Sequence, residues 1–326
     1  MNRGNQDAMK PFICYCYLTY RCNARCRFCA VWRDCDVPHE RESSPDVVCR
    51  NLGDVRRLGV SFADFTGGEP LLYDGLPRVL SYARHLGLRT TVTTNGILYG
   101  SRARELAGLV DILQFSLHGP CRGTHDALTV TPSFDRVMEG VETARRLGDR
   151  PAFIHTVTDE NIMAVPEVVA LAHSLRVPLF LNPCFSYFGN DGFSRENAER
   201  LARLARGKGV TVDRGYLRFL ADGGNRTDAP GCLAVTSTVV ISPDDCMILP
   251  CWHHGVLRIP IRGRLFALRN STEVRKSCEM EGRYPFCEGC AVNCSIRASL
   301  FRRFDRYFLP TLLSAIKYTW ELYRAK

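Results

Sequence analysis

The chain has 326 residues, 45% of them hydrophobic and 24% charged, enough apolar material for one large buried core with a smaller appendage. Lys and Arg outnumber Asp and Glu by 43 to 34, and the net charge of +9 favours anionic partners, although the arginines are scattered through predicted helices whose solvated faces account for much of the excess. Sixteen cysteines in so long a chain, with a polar Met1–Lys10 start and no apolar signal stretch, argue against a secreted disulfide framework and for reduced, metal-binding thiols in a cytosolic compartment; the lack of a charge-free run of about eighteen apolar residues argues against a transmembrane span.

In chain order, a tail at 1–11 leads into Phe12–Leu18, a short aromatic-rich run that reads as a strand. A cysteine loop leaves directly from its end, with Cys22, Cys26 and Cys29 in C-x3-C-x2-C spacing. Ser44-Pro45-Asp46 is a helix start, followed by Val47, Val48, Leu52, Val55 and Leu58 at helical spacing. Val60–Thr66 is a strand broken by Gly67-Gly68-Glu69-Pro70, and Gly75–Leu86 resumes a helical pattern. The alternation continues with Arg89–Thr94 (strand, then the Asn95-Gly96 turn), Ser101–Ala107 (helix), Ile112–Leu117 (strand), Phe134–Leu147 (helix), Ala152–Thr158 (strand), Asn161–Leu175 (helix) and Pro178–Asn182 (strand). Such alternation predicts a parallel sheet with right-handed crossovers, whose site lies at the strands' C-terminal ends. The cysteine loop, the glycine breaks and the Asn-Gly turn all fall at those ends. Cys14 and Cys16 share one strand face and are expected to line the interior, and Tyr187, Asp191, Arg195 and Tyr216 are candidates for shaping a substrate pocket.

From about Ala229 the composition turns to cysteines, prolines and short strands, with a hairpin turn at Ser242–Asp245 between Ser237–Ile241 and Met247–Leu249. The last stretch, Phe301–Lys326, carries Phe301, Phe304, Phe308, Leu312, Ile316, Trp320 and Tyr323 at three- and four-residue steps, with Arg302, Arg303, Arg306, Lys317, Arg324 and Lys326 mostly off that stripe and Pro310 inside it. Packing against the chain's own core is the default for such a helix; lying on an anionic membrane at its inner face, closing the barrel mouth and pairing with a partner are the alternatives.

Three thiolates on one loop leave one iron of a cubane 4Fe–4S cluster without a protein ligand, a position open to a substrate or cofactor. A structural zinc site would need a fourth ligand from elsewhere. In the second cysteine set, Cys232 and Cys251 span the hairpin while Cys287 and Cys290 form a tight C-x2-C pair, so two ligands from each arm could close a four-thiolate site for a cluster or a zinc ion.

Together these motifs resemble the radical S-adenosylmethionine (SAM) superfamily, over roughly Phe12 to Asn182 and on into the cysteine-rich tail. The resemblance implies an α/β fold: a partial (β/α)6 barrel at 12–228, a small auxiliary iron–sulfur domain of the twitch or SPASM type at 229–300, and a C-terminal amphipathic helix at 301–326. It implies that Cys22, Cys26 and Cys29 hold the first 4Fe–4S cluster and that SAM chelates its open iron. Gly67, Gly68, Glu69 and Pro70 match the family's GGEP motif beside the SAM amino group, and Thr94, Asn95 and Ser116 lie at strand ends that touch its ribose and carboxylate. His125-Asp126 and Thr158–Asn161 also resemble family positions. A second 4Fe–4S cluster would be held by Cys232, Cys251, Cys287 and Cys290, with Cys294 as the alternate ligand. Cys246, and Cys184 after it, is a candidate hydrogen-atom donor to a substrate radical; the plainer reading of each is a small buried apolar residue.

The implied activity is reductive cleavage of SAM to a 5′-deoxyadenosyl radical that abstracts hydrogen from a small organic substrate, whether sugar, metabolite or lipid-linked, for dehydrogenation, epimerisation or C–C bond formation. Electrons would come from a low-potential donor such as a flavodoxin or ferredoxin. A peptide maturase is the nearest alternative, disfavoured because the barrel begins within about a dozen residues with no separate leader-binding domain before it. A zinc- or cluster-containing nucleic-acid-binding protein is the alternative of another class. No recognition-helix pattern or aromatic and basic interleaving supports it, so no nucleic acid is expected.

Overall fold

A computed structural model describes residues 10–33, 40–185 and 193–324. The core is a parallel sheet of β1 (Ile13–Thr19), β2 (Phe62–Gly67), β3 (Arg89–Thr94), β4 (Ile112–Ser116), β5 (Pro151–Val157) and β6 (Leu179–Pro183), each hydrogen-bonded to the next in chain order. The crossovers carry α1 (Pro45–Arg57), α2 (Leu76–His85), α3 (Tyr99–Leu106), α4 (Arg122–Thr129), α5 (Phe134–Arg146) and α6 (Val165–Ser174). α1 shows why these segments are helices. Pro45 opens it, Asp46 in the first turn and Arg56 and Arg57 in the last oppose the helix dipole, and Val48, Cys49, Leu52 and Val55 form the buried stripe.

Strand pleating separates two environments. Phe65, Phe115 and Phe153 are fully buried under the helices; Phe115 meets Tyr99 of α3 edge-on at 4.8 Å, and α5 comes so close that a Cβ on Gly140 would lie 2.7 Å from the Phe115 ring. The alternate residues face the concave side of the sheet. Cys14 and Cys16 therefore do not line the interior: they belong to the helix-packed core, where Cys16 neighbours Cys49 of α1, and the inner positions go to Tyr15 and Tyr17.

Beyond β6 come α7 (Arg195–Leu204), the two-residue β7 (Val210–Thr211) beside β6, and α8 (Arg214–Ala221). Tyr187 and Asp191 lie outside the described residues. Neither Arg195 nor Tyr216 shapes a pocket: Arg195 is exposed beside Glu199, and Tyr216 is fully buried with its hydroxyl donating to the Ala291 carbonyl at 2.6 Å.

The cysteine-rich region extends the same sheet. After α9 (Ala234–Ser237), β8 (Thr238–Ile241) pairs parallel to β1, and β9 (Cys246–Leu249) and β10 (Leu257–Pro260) follow antiparallel, giving a ten-stranded sheet ordered β10-β9-β8-β1-β2-β3-β4-β5-β6-β7. α10 (Leu265–Arg269), α11 (Thr272–Met280), α12 (Asn293–Leu300) and α13 (Phe308–Arg324) complete the chain.

The C-terminal helix packs the opposite way from the default expectation. Its inward face begins with the small polar Thr311 and Ser314, buried against α8 with Thr311 donating to Asp213 at 3.0 Å, and continues with Tyr318, which accepts from Gln114, and the buried Leu322. Its apolar residues Leu309, Leu313, Ile316, Trp320 and Tyr323 are 53–59% exposed. Pro310 does not divide it, because the helix begins at Phe308 and the proline falls in the first turn, where no amide partner is needed. No helix among the described residues is long and apolar enough to cross a membrane.

Candidate active site

The cysteine loop springs from the end of β1 and is held on two sides. Towards β2, Gly68 N–H donates to Thr19 O and Glu69 N–H to Arg21 O, both at 2.9 Å. The two backbones touch: a Cβ on Gly67 would lie 2.0 Å from Thr19 O, and one on Gly68 2.2 Å from Arg21 O. Gly67 also has φ +140, so both glycines are required for contact and one for conformation as well. Towards α4, Arg25 and Arg27 amides donate to the Thr129 and Leu128 carbonyls at 3.1 and 2.9 Å.

Glu69 joins the next strand end to this rim. It is 1% exposed; Oε1 accepts from Leu71 N–H at 3.0 Å and from the Thr94 hydroxyl at 2.8 Å, and Oε2 accepts from Asn95 N–H at 2.8 Å. Burial nonetheless pushes its carboxyl up to about 7. Thr94 is occupied in turn, accepting from Gly96 N–H at 3.1 Å. The Asn95 side chain reaches the cysteine loop, donating to Asn23 at 2.7 Å and lying 4.0 Å from the Cys22 sulfur. Glu69, Thr94 and Asn95 thus tie the ends of β2 and β3 to the cysteine loop. Ser116 ends β4, half-buried.

Burial, reinforced by the neighbouring cysteines, pushes the Cys22 thiol up to about 11 and the Cys26 thiol up to about 12. Three thiolates here need a compensating positive charge, which bound iron supplies. Among the described residues no group of three or more His, Cys, Asp or Glu side chains is arranged to hold a metal ion. Thiolates around one zinc stand about 3.8 Å apart at a Zn–S distance of about 2.3 Å, whereas a cubane sets four irons between its thiolates and asks for a wider set. Three thiols on one loop are a donor set that suits an iron–sulfur cluster.

The second cysteine set lines one small cavity: Cys232, Cys251, Cys287 and Cys290 share it with His254. Burial raises all four thiols, Cys251 to about 12 and Cys287 to about 11. Cys294 is not among the lining residues; its sulfur lies 3.4 Å from His253 Nε2. Sequence reasoning missed the residue that assembles this cavity. Asn225 is 1% exposed, its amide donates to Gly282 O at 2.7 Å and Cys287 O at 3.0 Å, and its Oδ1 accepts from Gly231 and Cys232 N–H at 2.8 and 3.0 Å. Its backbone adds bonds to Cys290 O and Gly289 N–H. One asparagine, with its side-chain valences filled, knits the segments carrying three of the four cysteines.

Residues 16–172 match the family profile described as the radical SAM superfamily. This stretch is a radical SAM domain. Pre-heme d1 synthase of Dinoroseobacter shibae is 29% identical over 232 residues, covering 68% of this chain and 56% of that protein. GTP 3′,8-cyclase 2 of Mycobacterium tuberculosis is 35% identical over 147 residues, 44% of this chain and 41% of that one. The chain spans about half the length of these curated relatives. SuiB of Streptococcus suis, solved bound to S-adenosylmethionine, superposes with a TM-score of 0.66 at 16% identity over 94% of this chain and 75% of that one, a likeness of fold. Members of the superfamily use a 4Fe–4S cluster and SAM, and the cysteine-rich C-terminal region is consistent with auxiliary clusters.

In the radical SAM domain His118 just beyond β4, His125 on α4 and His155 within β5 cluster, with Phe28 of the cysteine loop edge-on to His118 at 4.7 Å. Burial holds all three neutral, with His125 and His155 brought down to about 4. His125 Nδ1 accepts from His118 N–H at 3.0 Å, fixing its tautomer, so the trio buttresses the loop from behind. Asp126 is a cap, accepting from the Ser133 and Phe134 amides at 2.9 and 3.0 Å; Asn161 closes its own loop by accepting from Thr158 N–H at 2.8 Å. Cys246 lies with Tyr17, Tyr20, Val31 and Ile248 in a small apolar cluster that Cys29 also packs against. Cys184 is buried just beyond β6.

Below the rim the inner face of the sheet sets polar side chains among apolar ones such as Ile112, Ile154 and Phe180. By register, Tyr15, Asp64 and Thr91 stand in one row, Thr93 and Gln114 in the next, and Thr156 and Asn182 nearer the rim. Thr93 donates to Gln114 Oε1 at 3.0 Å and Gln114 to the Tyr318 hydroxyl of α13 at 2.7 Å, while Asn293 of α12 bonds Asn182. The alternation of polar residues in β2 and β3 was the available signal for this lining.

Asp64 makes the lining testable. Its Oδ1 is buried without a hydrogen-bond partner among the described residues, and burial pushes the carboxyl up to about 7 from 3.8. Between those values the folded chain holds a proton that the unfolded chain has released, so stability falls as pH rises through the window and the penalty is complete above it. Asp64→Asn should therefore raise stability at pH 8 by on the order of 4 kcal/mol and change little near pH 4. Denaturant titrations at both pH values check this; an effect that does not grow with pH would contradict it.

Proposed function

We propose that the chain is a radical SAM enzyme acting on a small polar substrate held against the inner face of the sheet, with a second, auxiliary cluster ligated by Cys232, Cys251, Cys287 and Cys290. The observation that carries this reading is the hydrogen-bonded rim in which the cysteine loop, the Gly67–Pro70 turn and the Asn95-Gly96 turn meet above a lining of hydroxyls and amides. When bound there, the reduced 4Fe–4S cluster and SAM supply one-electron, hydrogen-abstracting chemistry. The chain's own part is placement. The two glycines let SAM-binding backbone approach the cysteine loop, and Glu69 with Asn95 fixes the spacing of the strand ends. Thr93, Gln114 and Asn182 offer hydrogen bonds to a polar substrate, and the stacked pair Tyr17 and Trp252, 4.8 Å between ring centroids, walls off one side from water.

The hydroxyls and amides of this lining keep donor and acceptor capacity beyond their bonds to one another, which favours a metabolite or sugar over a lipid chain. Dehydrogenation suits a protein with a second low-potential centre, with epimerisation and C–C bond formation as the other outcomes, and a ferredoxin or flavodoxin in the cytosol suits as electron donor. Anaerobic reconstitution with iron and sulfide tests the reading. It should give about eight irons per chain and SAM cleavage on reduction. Zinc uptake with no SAM cleavage would overturn it and favour the nucleic-acid-binding alternative.

A further inference from the structure

Leu309, Leu313, Ile316, Trp320 and Tyr323 recur every three or four residues on α13 and form one outward stripe, each more than half exposed, with Phe304 88% exposed just before the helix. Cations border it on both sides. On one side a groove between α8 and α13 carries Arg214 and Arg218 next to Leu309 and Leu313, and a second groove carries Arg176, Lys208 and Arg324. On the other side Arg89 donates to the Tyr323 hydroxyl at 3.2 Å and Arg150 lies over the Tyr323 ring at 5.4 Å. The acids in these grooves are Glu199, Asp305 and Glu321; Asp305 is paired with Arg303.

We propose that this face of α13 docks on an anionic lipid surface. An apolar stripe ending in Trp and Tyr and flanked by cations matches a bilayer interface, where apolar side chains enter the acyl boundary, aromatic rings sit at headgroup level and arginines meet lipid phosphates. The helix does not span: its polar face, through Thr311 and Ser314, stays fixed to α8. A second copy of the chain would bring the same cationic borders together, so charge complementarity favours the lipid.

Docking uses the face of α13 turned away from Tyr318 and Gln114, so it is tested apart from SAM chemistry. The full-length reconstituted chain is sedimented with phosphatidylcholine vesicles containing about 30% phosphatidylglycerol and with vesicles of phosphatidylcholine alone. Expected is at least about tenfold more bound protein on the anionic vesicles, weakened by high salt. Leu313→Glu/Ile316→Glu should lose binding while keeping its circular dichroism and SAM cleavage; because both residues point outward, this variant folds. Equal recovery in the supernatant with and without anionic lipid would overturn the proposal. So would a concentration-dependent dimer that the double variant abolishes in the absence of vesicles, which would assign the stripe to a second copy of the chain.

Discussion

Gly68→Ala is expected to cut SAM cleavage by at least about 100-fold, towards the level of Cys26→Ala, although it removes no iron ligand. The added methyl carbon would sit 2.2 Å from Arg21 O and 2.7 Å from both Arg21 C and Tyr20 O. All three are backbone atoms of the segment entering the cysteine loop, so no side chain can rotate away. Relief requires the Gly67–Pro70 turn and the loop to separate, which breaks the Gly68–Thr19 and Glu69–Arg21 hydrogen bonds and shifts the Glu69 carboxylate from Thr94 and Asn95. A displacement of about 1 Å at a site that must hold two partners in register is enough for the stated loss. The variant should keep its thiols and most of its first-site iron, whereas Cys26→Ala should lose about four irons; isothermal titration with SAM and an iron assay separate the two. Gly123→Ala is the control: among the described residues nothing lies within 4 Å of a Cβ at that position on α4, and alanine there should stabilise slightly. Wild-type SAM affinity and cleavage in Gly68→Ala would refute the close-approach account of the rim.

The rim was legible in the sequence because each part carries a local signal. Glycines mark the close approach, Asn-Gly marks a turn, and alternating strand and helix periodicity places both at the same sheet edge. Arg89–Thr94 is a strand over the predicted residues, and β1, β2, β4, β5 and β6 lie within two residues of theirs. Two things resisted. Helical periodicity shows that Phe301–Lys326 has an apolar stripe, but not which way the stripe turns. That is decided by Asp213, whose buried carboxylate takes the Thr311 hydroxyl and the Tyr216 amide and salt-bridges Arg297, drawing the polar face of α13 inward. The partner of β8 was equally hidden. Thr238–Ile241 reads as one arm of a hairpin, and its parallel pairing with β1 joins residues more than two hundred positions apart. Asn225 escaped notice for a related reason: its value lies in four side-chain contacts to three separate places, Gly231–Cys232, Gly282 and Cys287, that no periodic spacing links to it.

Cys251→Ala/Cys287→Ala is expected to hold about four irons against the about eight expected of the unmodified chain, and to go on cleaving SAM while losing formation of the substrate-derived product. The two cysteines enter one cavity from different arms, Cys251 from beyond the hairpin and Cys287 from the turn before α12, so their joint loss leaves two thiols, too few to retain a cubane. Cys294 is a poor rescuer, because its sulfur is turned to His253 and sits on the helix after the Cys290 turn. The first centre should be untouched, since its loop is anchored to β2, β3 and α4 and not to this cavity. Asn225→Leu sharpens the test by leaving all four thiols in place. It would strand the Gly282 carbonyl and the amides of Gly231 and Cys232, each a buried group costing about 1–3 kcal/mol unpaired, and leave the Cys287 carbonyl with only the Cys290 amide. Iron at the second centre should then fall well below stoichiometric while the first remains loaded, as read by iron assay and electron paramagnetic resonance of the reduced protein. Full iron content in both variants would remove these four cysteines as the auxiliary ligands, and loss of SAM cleavage in step with the iron would show that the two centres do not assemble independently.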